Sequence, residues 1–225
     1  KNRINDITET IVAPIIVPSK KELESILKDS DLMELIKSHA ASGFSPTSLS
    51  NYIRNPLDFY KRNLLKIDDL LEVEENVAAN TFGTIVHDVL EKFYSPFIGQ
   101  VLEENKLNAL KPQIRLLVKT EFERSYAGGV INRGKNLIAY NVIVKYIENF
   151  IDFEIDELHN HNIKILGLEE KFRININIPE LDFPIVLKGK LDRIDEKDGL
   201  IRIIDYNTGK VESKNVEIVD CQEII

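Results

Sequence analysis

The sequence predicts an α+β fold, helices first and sheet second. Three observations carry this. Residues 81–158 space their apolar side chains at helical intervals, with Ile85, Val89, Leu90 and Phe93 on one stripe and a second stripe at 140, 143, 144, 147, 151, 155 and 158. From residue 162 the pattern changes to short runs rich in Ile, Val and Leu, punctuated by turn residues. With 43% apolar and 29% charged residues in 225, the chain has enough apolar material for one sizeable core.

Taken in order, residues 1–43 read as a strand-and-helix extension. "TETIVAPIIV" (8–17) is β-branched and apolar, as a strand requires. "PSKKELESILKDSDLMELIKSHA" (18–40) reads as one or two amphipathic helices, with Ser19 and Glu22 in capping-box spacing. Residues 42–65 read as two short helices. Ser45 or Thr47 caps the first, and Asn55-Pro56 opens the second.

The acidic stretch 67–80 reads as a loop. Helices follow over 81–97, 101–126 and 135–158, the last two separated by Gly128-Gly129. Three strands then succeed one another at 163–176, 183–195 and 200–209, joined by turns at "PELD" and "EKDG". The Asp198-Gly199 pair is a hairpin signal.

Charge and cysteine content narrow the function classes. The formal net charge is −8, spread evenly with no basic tail, so bulk charge does not hold nucleic acid. A polyanion ligand then requires a local basic patch or metal ions. A single cysteine, Cys221, excludes an internal disulfide and a four-thiolate metal site, and fits a reducing, intracellular (cytoplasmic) setting. No run reaches the roughly 20 apolar residues of a membrane span, so no membrane association is expected. The missing initiator methionine and the final apolar run "VEIVDCQEII" lead us to expect a piece of a longer chain.

The chemistry concentrates at two strand ends. Asp192 closes the run "GKLD" and Asp205 closes "IRIID", 13 positions later across a charged turn. With the turn centred near 197, residue 192 falls opposite 203, and 205 lies one step along on the same side. Two carboxylates there can share a hard cation such as Mg2+ or Mn2+. Acids at solvent-facing strand ends are also common, and spacing alone leaves both readings open. The same holds for His87 on its helix and for Glu169 at the start of the first strand.

Together these stretches resemble the RecB/AddB-type branch of the PD-(D/E)XK nuclease superfamily. "FGTIVHDVLEKF" resembles its G-x-x-x-H helix. "GKLDRID" and "IIDYNTGK" resemble its G-x-x-D-R-x-D and I-x-D-Y-K-T-G signatures. "FSPTSLSNYIRNPLDFYKRNLL" resembles the segment that precedes them. The resemblance covers roughly 44–210 and implies a domain over 44–225, truncated at its C-terminus. It implies a restriction-endonuclease-like core, a mixed central sheet flanked by helices.

It also implies roles. His87, Asp192 and Asp205 would hold a divalent metal with the backbone carbonyl of Tyr206, and Glu169 would stand at the site's edge. DNA would be the substrate, and a helicase-like domain or subunit the partner, in DNA repair or recombination. The sequence departs from the pattern twice. Asn55 stands where some relatives carry an iron–sulfur cysteine, so no cluster is expected. Asn207 stands where the pattern has a catalytic lysine, which leaves either an inactivated nuclease or a substitute cation. Lys190, two residues before Asp192, and Lys210 are the nearby lysines.

Overall fold

The computed structural model describes residues 25–67, 77–126 and 131–209. The expected strand at 8–17, the Ser19 cap, the Gly128-Gly129 break and Lys210 lie outside them. Helix α1 spans Ser30–Ser42, and the Asp29 carboxylate accepts from the N–H of Leu32 to cap it. Helix α2 spans Pro46–Arg54, capped by Ser45 and not by Thr47. Ser45 and Ser48 exchange side-chain and backbone hydrogen bonds as a reciprocal box. Asn55 caps α3 (Pro56–Asp58), whose Pro56 sits where no N–H is needed, and the chain runs on into a π-helical turn, Phe59–Leu64.

Helix α4 spans Ala79–Tyr94. The continuous helix expected over 101–126 is corrected. Val101 forms a bridge to Lys164, α5 covers only Glu104–Leu110, and α6 covers Ile114–Ser125. Pro112 is the reason: it lacks an N–H and its ring obstructs the preceding turn, so residues 111–113 tighten to a 3₁₀ turn between the two helices. Helix α7 spans Gly134–Leu158, in agreement with its apolar period.

Three strands form an antiparallel meander in the order β1 (Ile163–Ile176), β2 (Ile185–Lys197), β3 (Leu200–Ile204). The second begins two residues later than expected, and the third ends five residues earlier. The β2–β3 loop is the two residues Asp198 and Gly199, with φ of +52° and +86°. Positive φ at both positions is what a tight twisted hairpin needs, and Asp-Gly tolerates it. Asp198 is further held by the N–H of Asn162 and by His161 Nδ1.

This loop shifts the expected register. Arg193 pairs with Ile204 and Lys197 with Leu200, so continuing the ladder puts Asp192 opposite 205, not 203. A parallel component enters at one place among the described residues, a bridge between Phe44 and Leu187 on the length of β2 that β3 does not reach. It is made by the N–H of Phe44 to the carbonyl of Val186 and the N–H of Lys188 to the carbonyl of Phe44, each 2.8 Å.

The core lies between α4, α6, α7 and β1. Ile85, Val89 and Phe93 of α4 meet Val118 and Phe122 of α6, Ile143, Ile147 and Ile151 of α7, and Ile163 and Ile165 of β1. All are buried, and truncating any of these isoleucines to alanine costs about 2–5 kcal/mol. A separate apolar groove of about 740 Å³ lies between α1–α3 and the far end of the β1–β2 hairpin. No described helix is long and apolar enough to cross a membrane. The architecture is α+β, as expected from the sequence.

Candidate metal centre

Three ligand-type side chains converge where α4 crosses β1 and β2. His87, Glu169 and Asp192 each offer one donor atom, and these atoms lie within 4.8 Å of one another. Helix α4 supplies His87 from the flank of its apolar stripe, so the ring is only partly covered while Ile85, Val86 and Val89 anchor the helix beside it. The two carboxylates come from facing strands. Leu168 pairs with Arg193 and Glu170 with Leu191, so the ladder places Glu169 across from Asp192.

Glu169 departs from the strand conformation, with φ of +53°. This left-handed backbone is unfavourable for a non-glycine residue and costs of order 1–3 kcal/mol. It occurs where the Glu169 side chain is 8% exposed and belongs to the converging group.

The histidine geometry sets the direction in which the donors face. His87 Nε2 lies 2.8 Å from the carbonyl oxygen of Tyr206. A neutral ring donating Nε2–H to that carbonyl turns the Nδ1 lone pair the other way, toward Asp192 Oδ2 at 3.4 Å and Glu169 Oε1 at 3.8 Å. A lone pair and two carboxylates then face one another, an arrangement that a cation satisfies. One imidazole with two carboxylates is a donor set for a divalent cation. A backbone carbonyl fixing the ring through its other nitrogen is the usual support of a ligating histidine.

The segment after β3 closes the site. The backbone N–H of Tyr206 donates to Asp192 Oδ2 at 2.8 Å. Gly83 lets this segment approach α4, since a Cβ there would lie 3.2 Å from Thr208 Oγ1. The expected site residues of this segment are placed as follows. The Tyr206 carbonyl is at the centre, as the acceptor for His87. Asp205 lies one residue beyond β3, exposed, and its carboxylate does not join the group. Asn207 is exposed, and its Oδ1 accepts from the N–H of Gly209 at 2.8 Å, closing a local turn. Lys190 is exposed and ion-pairs with Glu169 through Oε2.

Beneath the centre lies a charged network that the sequence analysis did not single out. Arg193 is fully buried. Its Nη2 lies 2.5 Å from Glu154 Oε1 and 2.7 Å from Asp195 Oδ2, and its guanidinium stacks 4.8 Å from the Tyr94 ring centre. Arg202 grips Asp195 with two hydrogen bonds of 2.8 and 3.0 Å, and the Tyr94 hydroxyl donates to Glu154. Burial is the largest single effect and pushes the Arg193 guanidinium toward neutrality, but Glu154, Tyr206 and Tyr94 together outweigh it and the pKa is raised. Burial, reinforced by Glu154, pushes the Tyr94 hydroxyl well up. Burial also pushes the Tyr206 hydroxyl up to about 12, against the lowering pull of Arg193.

The signals for this network were in the sequence. Arg193 lies within an expected strand between Leu191 and Ile194, and Glu154 stands beside the apolar stripe of α7, three residues after Ile151. A charge at a core position demands a partner.

Comparisons with known proteins point to the same chemistry. A family model described as the PD-(D/E)XK nuclease superfamily matches residues 43–222. An uncharacterized protein of Rickettsia typhi is 26% identical over 213 residues, covering 89% of this chain and 22% of the relative. An uncharacterized protein of Rickettsia felis is 27% identical over 186 residues, covering 77% of this chain and 19% of the relative. One of Rickettsia conorii is 24% identical over 215 residues, covering 89% of this chain and 23% of the relative. The chain thus spans about a fifth of the length of the curated relatives it matches.

Proposed function

This chain belongs to the PD-(D/E)XK nuclease superfamily, and from that premise we propose that it is a metal-dependent DNA nuclease domain of RecB/AddB type, with residues 44–225 as the nuclease unit and 1–43 as an extension. The observation that carries the proposal is the convergence of His87 Nδ1, Glu169 and Asp192. His87, Glu169 and Asp192 would hold Mg2+ or Mn2+, with Asp205 adding a carboxylate from the segment after β3 and the Tyr206 carbonyl fixing the far side of the His87 ring.

When bound there, the ion supplies the Lewis acidity that activates water and polarises a scissile phosphate. The chain's own groups do the rest. The Tyr206 carbonyl orients His87, and the Tyr206 N–H orients Asp192. Arg193 and Glu154 hold β2 against α7 beneath the centre. The position where the family pattern has a lysine is Asn207. Its amide carries no charge and is engaged in its own turn. Lys190, in contact with Glu169, brings an ammonium to the cluster and is our candidate for its substitute. The length of the relatives fits a domain of a larger protein, and the motif resemblance alone suggests a helicase-linked one in repair or recombination.

A Mg2+ or Mn2+ titration by calorimetry tests the centre. Saturable heat that disappears in Asp192→Ala supports it, and no heat from the unaltered chain removes it. A second reading is a non-catalytic DNA-binding or scaffolding module, favoured by Asn207. Cleavage of labelled single- and double-stranded DNA with Mn2+ separates the two. Activity that appears only in Asn207→Lys identifies a disabled site. Activity in the unaltered chain that is lost in Lys190→Ala assigns the substitution to Lys190.

A further inference from the structure

The apolar groove between α1–α3 and the far end of the β1–β2 hairpin is lined by none of the candidate metal ligands. Ile174 pairs with Leu187 and Ile176 with Ile185, so these four side chains share one face of the hairpin, opposite that of Arg173 and Lys188. Ile176, Ile185 and Leu187 form the sheet wall of the groove. Met33 of α1, with Leu49 and Tyr52 of α2, lines the helical side of its 740 Å³.

Folded chains keep few voids larger than a water molecule and rarely leave large contiguous apolar patches in water. Here Met33, Leu49, Tyr52, Ile176 and Leu181 are each 36–49% exposed. Lys28 is the one charged side chain among the described lining residues, and the hydroxyls of Tyr52 and Tyr60 are the other side-chain polar groups. A small-ligand site is fixed by a few convergent polar groups. This lining suits an apolar peptide segment instead.

The sequence holds such a segment close by. Residues 11–17 read "IVAPIIV", an uncharged run dominated by β-branched side chains whose burial would be favourable. The described chain begins at Ser25, and Ile26 already lines the groove. Residues 18–25 separate Val17 from Ile26. Fully extended, that link spans about 30 Å, so the run is tethered within that distance of a lining residue. A tether of this length sets an effective concentration on the order of millimolar. A second copy at micromolar concentration therefore competes at roughly a thousandfold disadvantage. We propose that residues 11–17 fill this groove in their own chain, as an apolar strap that holds α1–α3 against the end of the hairpin. The strap adds apolar contact to a junction whose polar ties include the Phe44 bridge and the exposed Lys37–Asp182 pair, the latter worth little by itself.

The test uses the intact 225-residue chain. It has no tryptophan, so Ile16→Trp supplies a single fluorescent reporter. In the groove its emission should be blue-shifted, and its quenching by acrylamide severalfold slower than in the same chain unfolded in urea. Ile178→Asp with Leu181→Asp, both in the exposed β1–β2 connection, should move emission and quenching toward the unfolded values while circular dichroism stays unchanged. Tyr52→Asp should do the same from the helical wall. Without the reporter, Ile15→Asp with Ile16→Asp should lower the thermal midpoint by about 5 °C or more through the apolar burial lost.

Shielding that holds at every dilution in a monomer and is lost in the groove variants supports the strap. A reporter as open to acrylamide as in urea overturns it. So does shielding that survives both groove variants, which puts the run elsewhere. Shielding that disappears on dilution, with sedimentation showing dimers at the higher concentration, assigns the groove to a second copy and overturns the strap as well.

Discussion

The backbone N–H of Tyr206 donates to the carboxylate of Asp192 at 2.8 Å, so a residue of the segment beyond β3 holds a candidate metal ligand on β2. Asp192→Asn keeps an oxygen acceptor for that N–H and removes the charge. Its fold should survive, with a thermal midpoint within a few degrees of the unaltered chain. Its Mg2+ affinity should fall by more than the roughly 10–100-fold typical of removing a group that supports a metal ligand. Calorimetry reads the affinity and circular dichroism the fold. Unchanged affinity would exclude Asp192 as a ligand.

Asn207→Lys restores the charge that the family pattern carries at this position. Cleavage in Mn2+ should rise by about 10²–10³ if a transition-state interaction of that kind is what the chain lacks. The variant also loses the side-chain acceptor for the N–H of Gly209. A midpoint lowered by a few degrees alongside increased cleavage is therefore the expected pair of results. Equal rates in both chains would assign the charge elsewhere.

Arg193→Met leaves Glu154 and Asp195 without their buried cation, although Asp195 keeps Arg202. Breaking a buried pair by removing one partner costs about 3–5 kcal/mol. Urea unfolding should show a loss of that size. Adding Glu154→Gln to Arg193→Met should recover part of it, since the uncompensated carboxylate is then gone. A loss below about 1 kcal/mol would mean that water enters the network.

Tyr206 gives the fold an alkaline transition. Its folded pKa is raised to about 12 from 10.0. A group whose folded pKa lies above its unfolded value contributes stability that is complete below the unfolded pKa and disappears as pH rises through the folded one. The loss should run from about pH 10 to 12 and amount to roughly 3 kcal/mol. Thermal midpoints across that range should fall in the unaltered chain and fall less in Tyr206→Phe. Parallel curves would remove Tyr206 from the transition.

The helices and strands were legible because their apolar periods differ, helical in α4 and α7 against extended apolar runs in β1 and β2. The caps at Ser45 and Asn55 were legible because short polar side chains there answer unpaired N–H groups. The break at Pro112 was also encoded, but the apolar pattern on both sides masked it. The Asp198-Gly199 turn was visible as a hairpin signal. Its two-residue length fixes the register, and centring the turn too early displaced the partner of Asp192 by two.

At the site, His87 and Asp192, with Glu169 at the edge, were named from motif and spacing; what the sequence does not announce is the left-handed backbone angle at Glu169. Asp205 was expected beside Asp192 because the strand was taken to continue to 209. With β3 ending at Ile204, that carboxylate is no longer held by the ladder. The Arg193 network needed three-dimensional pairing, because Glu154 and Arg193 lie on separate elements, α7 and β2.

The bridge at Phe44 bears on how the molecule behaves in a crowded solution. Strand β2 extends past the end of β3, and an uncovered strand is a template on which another chain can add. Two backbone hydrogen bonds from Phe44 occupy that stretch, and Pro46, which has no N–H to offer, follows two residues later. Residues 99–102 do the same for the start of β1, with Gly99 and Leu102 donating to Ile165 and Ile163. Short connecting segments thus shield parts of both margins of a three-stranded sheet from edge-to-edge aggregation.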